Sequence, residues 1–169
     1  MEDLANKDPY LVDKKIVIAL SGGIDSVVLL HYLKTHYSGK VRAIHINHNF
    51  SKHSQNWSNF CKELCKKEGI RFKSIDINIK NVSNIEENAR KKRYLSLKSE
   101  LMKKEILCTA HHQADQAETF LLQLFRGAGI AGLASMPKIK NFSDSFLYRP
   151  FLYISKKDII NYASLNQLE

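Results

Sequence analysis

Cysteine is scarce in this sequence and long apolar runs are missing, and each absence excludes a class of protein. The three cysteines, Cys61, Cys65 and Cys108, form an odd set without C-x-x-C spacing, so the sequence predicts neither a disulfide framework nor a zinc knuckle. The longest apolar runs have the length of a strand, and residues 1–9 lack the order of basic, apolar and small residues that marks a signal peptide. We therefore expect a cytoplasmic protein that makes no contact with a membrane.

Acidic residues are also in the minority. Asp and Glu together number 17 against 26 Lys and Arg, which gives a formal net charge of +9 and a pI of about 9.4. Such an excess favours association with a polyanion, and nucleic acid is the expected partner. The alternative is a lysine-rich surface that is merely solvated, because composition does not show whether the charges share one face.

Apolar runs of strand length alternate with longer helical patterns along the chain. This alternation predicts an α/β fold, a Rossmann-like parallel sheet with right-handed crossovers and helices on both faces. At 169 residues, 44% of them hydrophobic and 25% charged, we expect one soluble domain over residues 1–169. The predicted strands are 15–21, 41–47, 72–77, 106–110 and 147–151, the predicted helices are 24–37, 55–68, 85–104 and 114–125, a last helix opens at the capping pattern of 155–158, and 127–146 is predicted as a mobile loop.

The first predicted strand runs into the turn Ser21-Gly-Gly-Ile-Asp-Ser26. Two glycines let the backbone approach an anion closely, the serines add hydroxyl donors, and the following helix offers unpaired N–H groups, so the turn is typical of a phosphate cradle. A carboxylate beside a phosphate is repulsive unless a cation lies between them, so Asp25 predicts Mg²⁺ bridging to a nucleotide. The alternative is an ordinary strand-to-helix turn with Ser26 as the N-cap. The expected nucleotide contacts are Ser21, Gly22, Gly23, Ile24, Asp25 and Ser26.

Two other phosphate-binding patterns are excluded. No lysine follows the glycines of the turn, so the Walker pattern G-x-x-x-x-G-K-[ST] is absent there. A G-x-G-x-x-G string occurs at 127–132, but it follows the helical run 117–126, whereas a dinucleotide fingerprint follows a strand. We interpret this second string as unrelated to dinucleotide binding.

A second polar cluster, Thr109-Ala-His-His-Gln-Ala-Asp-Gln-Ala-Glu-Thr119, follows the fourth predicted strand and opens a helix. In a parallel sheet this cluster can face the first turn across the topological switch point. Asp115 would then join Asp25 on one or two Mg²⁺ ions, while His111 contacts a phosphate or moves a proton.

Structural roles compete for three residues of this cluster. Adjacent residues near a helix start do not face the same way, so one of His111 and His112 is expected to pack or cap. Glu118 is interpreted equally well as a catalytic group or as a carboxylate that the helix dipole favours.

Basic residues on two predicted helices offer further anion contacts. Arg90 and Arg93 lie three apart on one helical face and can act as a joint clamp, with Tyr94 offering a ring for stacking. The alternative is a solvated helix with Glu to Arg pairs. Arg126 ends the helix before the 127–132 segment, and it is predicted to contact a phosphate or tRNA.

The turn Ser21-Gly-Gly-Ile-Asp-Ser26 resembles the signature of the PP-loop, or N-type ATP pyrophosphatase, superfamily, whose members cleave ATP between the α and β phosphates to adenylate a substrate. Together with later motifs it resembles the tRNA(Ile)-lysidine synthetase family over about residues 16–151. The later motifs are Ala43-Ile-His-Ile-Asn-His48, Ala89-Arg-x-x-Arg-Tyr94, the cluster 109–119, and Arg126-Gly-Ala-Gly-x-x-Gly-Leu-x-x-Met136. The resemblance implies an adenine nucleotide α-hydrolase-like PP-loop fold.

The resemblance also implies a ligase that forms a carbon–nitrogen bond and releases AMP and pyrophosphate. The wobble cytidine in the CAU anticodon of tRNA(Ile) is adenylated at its C2 oxygen by ATP, and the ε-amine of free L-lysine then displaces AMP to give lysidine. Residues 43–47 would line the adenosine pocket, which adds Ala43 and His45 to the ATP contacts. A homodimer is one option for the assembly.

Two departures from that family stand out. Relatives usually carry Asp or Asn where this chain has Ala114, so one polar contact is missing from that turn. Relatives also continue with further tRNA-binding domains, whereas this sequence ends at Leu168-Glu169 within a predicted helix, so we expect a catalytic domain truncated at its C-terminal end.

Other functions remain open at this stage. A PP-loop tRNA thiolase shares the adenylation step but usually needs paired cysteines, and Cys61 and Cys65, four apart on a helix, are expected to pack instead. An amidotransferase of the same superfamily would need a glutaminase partner, and no nucleophilic cysteine motif is found. The third option is a module that only binds nucleotide or tRNA.

Overall fold

The structure is a computed structural model, and it describes residues 8–48, 54–78 and 85–168. Strands and helices alternate along most of the chain, as the apolar periodicity predicts. The strands are β1 (Lys15–Ala19), β2 (Val41–Asn47), β3 (Arg71–Asp76), β4 (Glu105–Cys108), β5 (Ile139–Phe142) and β6 (Ser145–Tyr148). The helices are α1 (Ile24–His36), α2 (Ser54–Lys67), α3 (Ile85–Glu100), α4 (Gln113–Phe125), α5 (Ile130–Leu133) and α6 (Lys156–Leu165), preceded by a 3-10 turn over Pro9–Leu11.

The six strands form one sheet in the order β3-β2-β1-β4-β6-β5. Four neighbouring pairs are parallel, and the edge strand β5 is antiparallel to β6. The chain leaves β1 toward β2 on one side and later returns to β4 on the other side. The topological switch point therefore lies between the carboxyl ends of β1 and β4. The α/β prediction is confirmed, with one antiparallel edge strand added to it.

Successive residues of β1 are buried on opposite faces of the sheet. Ile16 and Ile18 belong to a cluster that includes side chains of α1, α2 and α6, while Val17 belongs to a second cluster that includes Leu97 of α3. All three β1 residues are fully buried. A strand covered by helices on both faces needs a continuous apolar run, which is the pattern that β1 shows.

The segment 127–146, predicted as a loop, contains α5 and β5. Phe142 pairs with Ser145 in a tight hairpin, in which Ser143 takes a left-handed φ of 59°. The side chains of β5 are mostly exposed, as is usual for a polar edge strand. The loop prediction was wrong for this hairpin because an exposed polar strand carries no apolar periodicity to detect.

Two predicted element ends were wrong by more than two residues. The last strand ends at Tyr148 rather than at residue 151, because Pro150 has no N–H with which to continue the ladder. Helix α3 ends at Glu100 rather than at residue 104, and Lys104 takes a left-handed φ of 70° at the turn into β4.

Polar contacts at its start hold α4 in place. No side chain of α4, which the structure describes in full, is buried. The Gln116 side chain exchanges two hydrogen bonds with the backbone of Met136, at 2.8 and 2.9 Å, and the N–H of Gln113 donates to the carbonyl of Ile154 at 3.0 Å. These contacts fix the beginning of α4 beside the carboxyl end of β4.

No helix among the described residues combines the length and the apolar character that crossing a bilayer requires.

A buried ion pair links β2 to β4 across β1. Arg42 donates to the Glu105 carboxylate from Nε at 2.8 Å and from Nη2 at 2.6 Å, and the two side chains are 12% and 4% exposed. The N–H of Met102 donates to the same carboxylate at 2.8 Å. Burial by itself raises the pKa of a carboxyl group, but these hydrogen bonds outweigh it and hold the Glu105 pKa below its usual range.

We expect Glu105→Gln to lower the free energy of unfolding by about 3 kcal/mol at pH 7, because it leaves Arg42 buried without its counter-charge. Since the Glu105 pKa is lower in the folded protein than in the unfolded chain, this stabilisation is present at neutral pH and is lost as the pH falls through the folded-state pKa. Urea unfolding should therefore show the difference shrinking below about pH 4. Asp13→Asn, at an exposed pair with Lys40, is the control and should change little. A Glu105→Gln deficit that stays constant down to about pH 3 would contradict this account.

Candidate functional site

A cavity of about 560 Å³ opens at the carboxyl ends of β1, β2 and β4. Its other walls come from the first turns of α1 and α2 and from one side of α3. This is the switch point at which open parallel sheets bind their ligands. The polar and aromatic side chains that line it include Ser21, Asp25, His45, Asn47, Trp57, Arg93, Tyr94, Thr109 and His111.

The Ser26 hydroxyl organises the turn after β1. It accepts hydrogen bonds from the N–H groups of Ser21 and Gly22, both at 3.2 Å, and donates to the Gly23 carbonyl at 2.8 Å. Ser26 is buried within the first turn of α1, and the N-cap of that helix is Gly23. The alternative of Ser26 as an N-cap was therefore wrong. Its hydroxyl shapes the phosphate cradle from the inside.

The first turn of α1 lies beside the cavity, and its first amides have no capping side chain. Gly23 provides no side-chain hydrogen bond, so the N–H groups of Ile24 and Asp25 are not capped. Such groups, together with the positive end of the helix dipole, favour an anion. The turn therefore fits the predicted phosphate cradle, and its binding of phosphate stays a prediction.

Both the backbone conformation and the close neighbours of residue 22 require a glycine there. Its φ is +93°, a left-handed conformation that other residues rarely adopt. A Cβ at this position would lie 2.9 Å from Cε3 of Trp57 and 3.3 Å from Sγ of Cys61. Trp57, which lines the cavity, therefore packs directly against the cradle backbone.

Asp25 lies between two basic side chains from distant parts of the chain. Its Oδ1 accepts a hydrogen bond from Nζ of Lys156, the first residue of α6, and its Oδ2 lies 3.9 Å from Nε2 of His112. Nδ1 of His112 accepts from the N–H of Ala114 at 3.2 Å, so the neutral ring carries its proton on Nε2, toward Asp25. The structure thus brings the turn at 21–26 and the cluster at 109–119 together, as predicted.

Asp115 has a structural partner of its own. His112 is the N-cap of α4, and Asp115 Oδ2 accepts from the His112 N–H at 2.8 Å, which completes a capping box. The prediction that one of the two histidines caps is confirmed. The His112 ring lies between the carboxylates, with Nδ1 3.6 Å from Asp115 Oδ2, so a cation bridging Asp115 and Asp25 would require this ring to turn aside. The role of Asp115 in Mg²⁺ binding stays a prediction.

The side chains at Asp25 fit a divalent cation that is shared with a substrate. Within 8–48, 54–78 and 85–168, no group of three or more His, Cys, Asp or Glu side chains is placed to hold a metal by itself. Mg²⁺ usually takes one or two carboxylates and completes its octahedron with water and substrate phosphates. The Asp25 carboxylate already forms an ion pair with the ammonium group of Lys156 at this place. Asp25 therefore fits the predicted role.

Burial and arginine side chains keep His111 neutral. Burial lowers the His111 pKa most, and the charges of Arg149, Arg90 and Arg93 add to this effect, so that the pKa is about 4. Its Nδ1 lies 2.8 Å from the hydroxyl of Thr109. At neutral pH the ring can therefore exchange hydrogen bonds with a phosphate but does not carry a positive charge.

The predicted arginines take different places. The Cζ atoms of Arg90 and Arg93 lie 5.5 and 5.4 Å from the centroid of the Tyr94 ring, so both guanidinium groups contact one aromatic side chain. Arg93 lines the cavity, whereas Arg90 does not. Arg126 is exposed outside the cavity, where its charge acts on Glu87 of α3. The geometry supports Arg93 more directly than the other two.

The end of β2 forms the wall opposite α3. Ala43 packs in the core and does not line the cavity, whereas the next four residues, 44–47, do. Nδ1 of His45 donates to the Leu20 carbonyl at 2.8 Å, so Nε2 of the neutral ring is an acceptor. Residues 44–47 therefore line the cavity and the Ala43 side chain does not, and their contact with adenosine stays a prediction.

Comparison with known proteins is consistent with this geometry. The family model for the PP-loop domain matches residues 1–169. The chain belongs to the PP-loop family.

Several curated relatives carry the name tRNA(Ile)-lysidine synthase. The chain is 44% identical over 168 residues to the tRNA(Ile)-lysidine synthase of Wigglesworthia glossinidia brevipalpis, covering 92% of this chain and 42% of that protein. It is 45% identical over 161 residues to the protein of the same name from Photorhabdus laumondii, covering 92% and 36%. The chain thus spans about two fifths of the length of the curated relatives it matches.

Solved structures share the PP-loop fold at low identity. The U34-tRNA thiolase NcsA from Methanococcus maripaludis has a TM-score of 0.70 and 19% identity, covering 93% of this chain and 58% of that one. The NH3-dependent NAD synthetase from Campylobacter jejuni has a TM-score of 0.60 and 18% identity, covering 93% and 66%. These similarities confirm the predicted PP-loop fold.

Trp57, Arg149 and Lys156 lie at or near the site, and the sequence analysis did not predict them as functional residues. Trp57 lies on the first turns of α2, where an aromatic residue carries no functional signal. Arg149 directly follows β6, and its charge lowers the pKa of His111. Its Nη1 donates to the Pro137 carbonyl at 2.7 Å. Lys156 had a detectable signal, because the capping pattern of 155–158 places this cation at the positive end of a helix.

We expect Gly22→Ala to destabilise the protein more than Gly39→Ala. Both glycines have positive φ, at +93° and +79°, so both variants incur backbone strain of about 1 kcal/mol. Nothing lies within 4 Å of a Cβ at Gly39, whereas Trp57 must move to admit one at Gly22, which adds about 1 to 2 kcal/mol. Urea unfolding and the emission of Trp57 measure the two effects. Equal losses of stability with unchanged emission would contradict the contact between Gly22 and Trp57.

We expect the His111 ring to remain neutral above about pH 5 in the ligand-free protein, because its pKa is lowered to about 4. Nuclear magnetic resonance titration of the imidazole signals measures this, and the spectrum of His111→Gln assigns them. A His111 midpoint near the ordinary value of 6.5 would show that burial and the arginines do not act on this ring.

Proposed function

We propose that this chain is the ATP-using part of an enzyme that joins L-lysine to C2 of the wobble cytidine in the CAU anticodon of tRNA(Ile), through an adenylated tRNA intermediate. The observation that carries the proposal is the 42–45% identity, over about nine tenths of this chain, to proteins named tRNA(Ile)-lysidine synthase. The cradle at Asp25 beside the cavity supports the same proposal, because it offers one site for a nucleotide base and its phosphates.

The nucleotide lies with its base along β2 and its phosphates at the cradle. The His45 Nε2 acceptor and the end of β2 face the adenine, and Trp57 covers the cradle side. The uncapped amides of α1 meet the phosphates. This orientation directs the α-phosphate toward His111 and the start of α4.

Asp25 holds Mg²⁺, with Asp115 as a second carboxylate, and the bound ion would neutralise the charge of the departing pyrophosphate. Without the ion, Nε2 of His112 lies 3.9 Å from Asp25 Oδ2, and this ring turns aside when both carboxylates hold the cation. Neutral His111 donates or accepts a hydrogen bond at the reacting phosphate without adding charge.

A basic surface holds the RNA. The net charge of +9 favours the tRNA backbone, and Arg93 at the cavity, with Arg90 and Arg126 outside it, contacts phosphates of the anticodon stem. The wobble base must leave its stack to reach an enclosed α-phosphate. The protein acts in the cytoplasm, where tRNA and free lysine are both present.

Sulfur transfer is the second candidate, and the cysteines argue against it. Cys61, Cys65 and Cys108 are all fully buried. Burial raises the pKa of both Cys61 and Cys65 to about 12, so neither is a thiolate at neutral pH. The position of Cys61 behind Gly22 is explained by packing. Lysine ligation therefore remains the better supported reaction.

The direct test incubates the protein, in the full length in which it occurs, with tRNA(Ile), ATP and labelled lysine. Label entering the tRNA supports lysidine formation. Incorporation of labelled sulfur instead would support the thiolase, and tRNA binding without incorporation of either label would support a binding module.

In the same reaction we expect Asp25→Asn to slow pyrophosphate release by about a hundredfold or more, because the amide cannot hold the cation that neutralises the leaving group. The fold should persist, since Asp25 is 29% exposed and does not pack in the core. Asp13→Asn removes a carboxylate far from the cavity and serves as the matched control. Undiminished release by a folded Asp25→Asn protein would contradict the role of Asp25.

A further inference from the structure

The phosphate cradle lacks a lysine in sequence and acquires one in the fold. No lysine follows the glycines of the 21–26 turn, which is why the Walker pattern is absent. Lys156 lies 131 residues after Asp25, and its Nζ donates a hydrogen bond to Asp25 Oδ1. The ammonium group of Lys156, at the start of α6, therefore lies at the cradle.

The positive charge of Lys156 destabilises the helix to which it belongs. It is the first residue of α6, directly after the N-cap Ser155, whose hydroxyl accepts from the N–H of Asp158 at 3.1 Å. A cation at this end opposes the helix dipole, whereas Asp25 in the first turn of α1 is already favoured by its own dipole. The pair is also partly exposed, at 40% for Lys156 and 29% for Asp25, so it contributes little to folding stability.

Three helix starts converge where Lys156 lies. Asp25 belongs to the first turn of α1, His112 caps α4 within 3.9 Å of it, and Lys156 begins α6. The hydrogen bond of 3.0 Å between His31 Nδ1 and the Tyr162 hydroxyl holds α1 against α6, and the bond from Gln113 N–H to Ile154 holds α4 beside the same segment. The three positive helix ends and the ammonium together favour a polyanion.

We propose that Lys156 is the phosphate-binding lysine of this cradle. It neutralises Asp25 in the free protein, and it transfers its hydrogen bonds to phosphate oxygens of the nucleotide when a divalent cation takes its place on the carboxylate. This inference rests on the proposed binding of ATP at the cradle. It explains why a cation is placed at the unfavourable end of α6 and why its partner carboxylate remains accessible.

Calorimetric titration with ATP and Mg²⁺, and separately with adenosine, tests the proposal. Lys156→Gln should weaken ATP binding by about tenfold or more, since it removes a charge-assisted bond to phosphate, and should leave adenosine binding unchanged. Lys156→Arg should recover much of the loss. The matched control is Lys157→Gln, which removes the same charge one residue further along α6 from an exposed side chain and should leave both affinities unchanged.

A second background separates direct contact from the unpaired Asp25 carboxylate, which would itself repel phosphate in Lys156→Gln. In Asp25→Asn this carboxylate charge is absent, so Lys156→Gln added to Asp25→Asn should still weaken ATP binding if Lys156 contacts phosphate. Binding of Mn²⁺ without nucleotide gives an independent readout, because Lys156→Gln should bind the ion more tightly once its competitor for Asp25 is removed.

The outcomes separate the two levels of the account. Wild-type protein that binds neither ATP nor adenosine would overturn both the proposed function and this inference. Wild-type protein that binds ATP, together with a Lys156→Gln variant of equal ATP affinity, would overturn the role of Lys156 alone. Equal weakening of ATP and adenosine binding would also overturn it, since a structural role predicts that result.

Discussion

The parallel pairing of β1 with β4 is the constraint on which the rest of the structure depends. It separates the first three strands of the chain from the last three and places the turns after β1 and β4 side by side. Because parallel strands end at the same edge, their following helices begin there too, and α1 and α4 direct their positive ends into one region. The buried pair of Arg42 and Glu105 crosses β1 and stabilises this arrangement.

Electrostatics explains the residues that gather at this edge. Several positive helix ends would attract any anion, and Asp25 makes the attraction selective because it repels a bare phosphate and accepts one that arrives with a cation. Lys156 balances Asp25 in the free protein, which leaves the cradle close to neutral locally. Burial, together with the nearby arginines, lowers the His111 pKa and keeps that ring uncharged at neutral pH, so the positive charge around it comes from arginine side chains.

The fold and the first turn could be predicted from the sequence because both depend on local patterns. Continuous apolar strands, amphipathic helices and the Ser21 to Ser26 turn are visible in short windows. The structure confirms the parallel sheet and the approach of the 109–119 cluster to the 21–26 turn. Reasoning from short windows missed β5, whose edge position leaves it polar, and Lys156, whose partner lies 131 residues away. The sequence also predicted Asp115 as a metal ligand, whereas in the structure its carboxylate accepts the capping hydrogen bond from the His112 N–H.

The central claim is that the starts of α1, α4 and α6 together receive the phosphates of one nucleotide. Amide hydrogen exchange, compared between the free protein and the protein with ATP and Mg²⁺, tests it most directly. The account predicts slower exchange at 22–26, 112–116 and 156–159 together with ATP, and at 44–48 alone with adenosine. Protection by ATP at only one of the three helix starts, or at none of them, would contradict the claim.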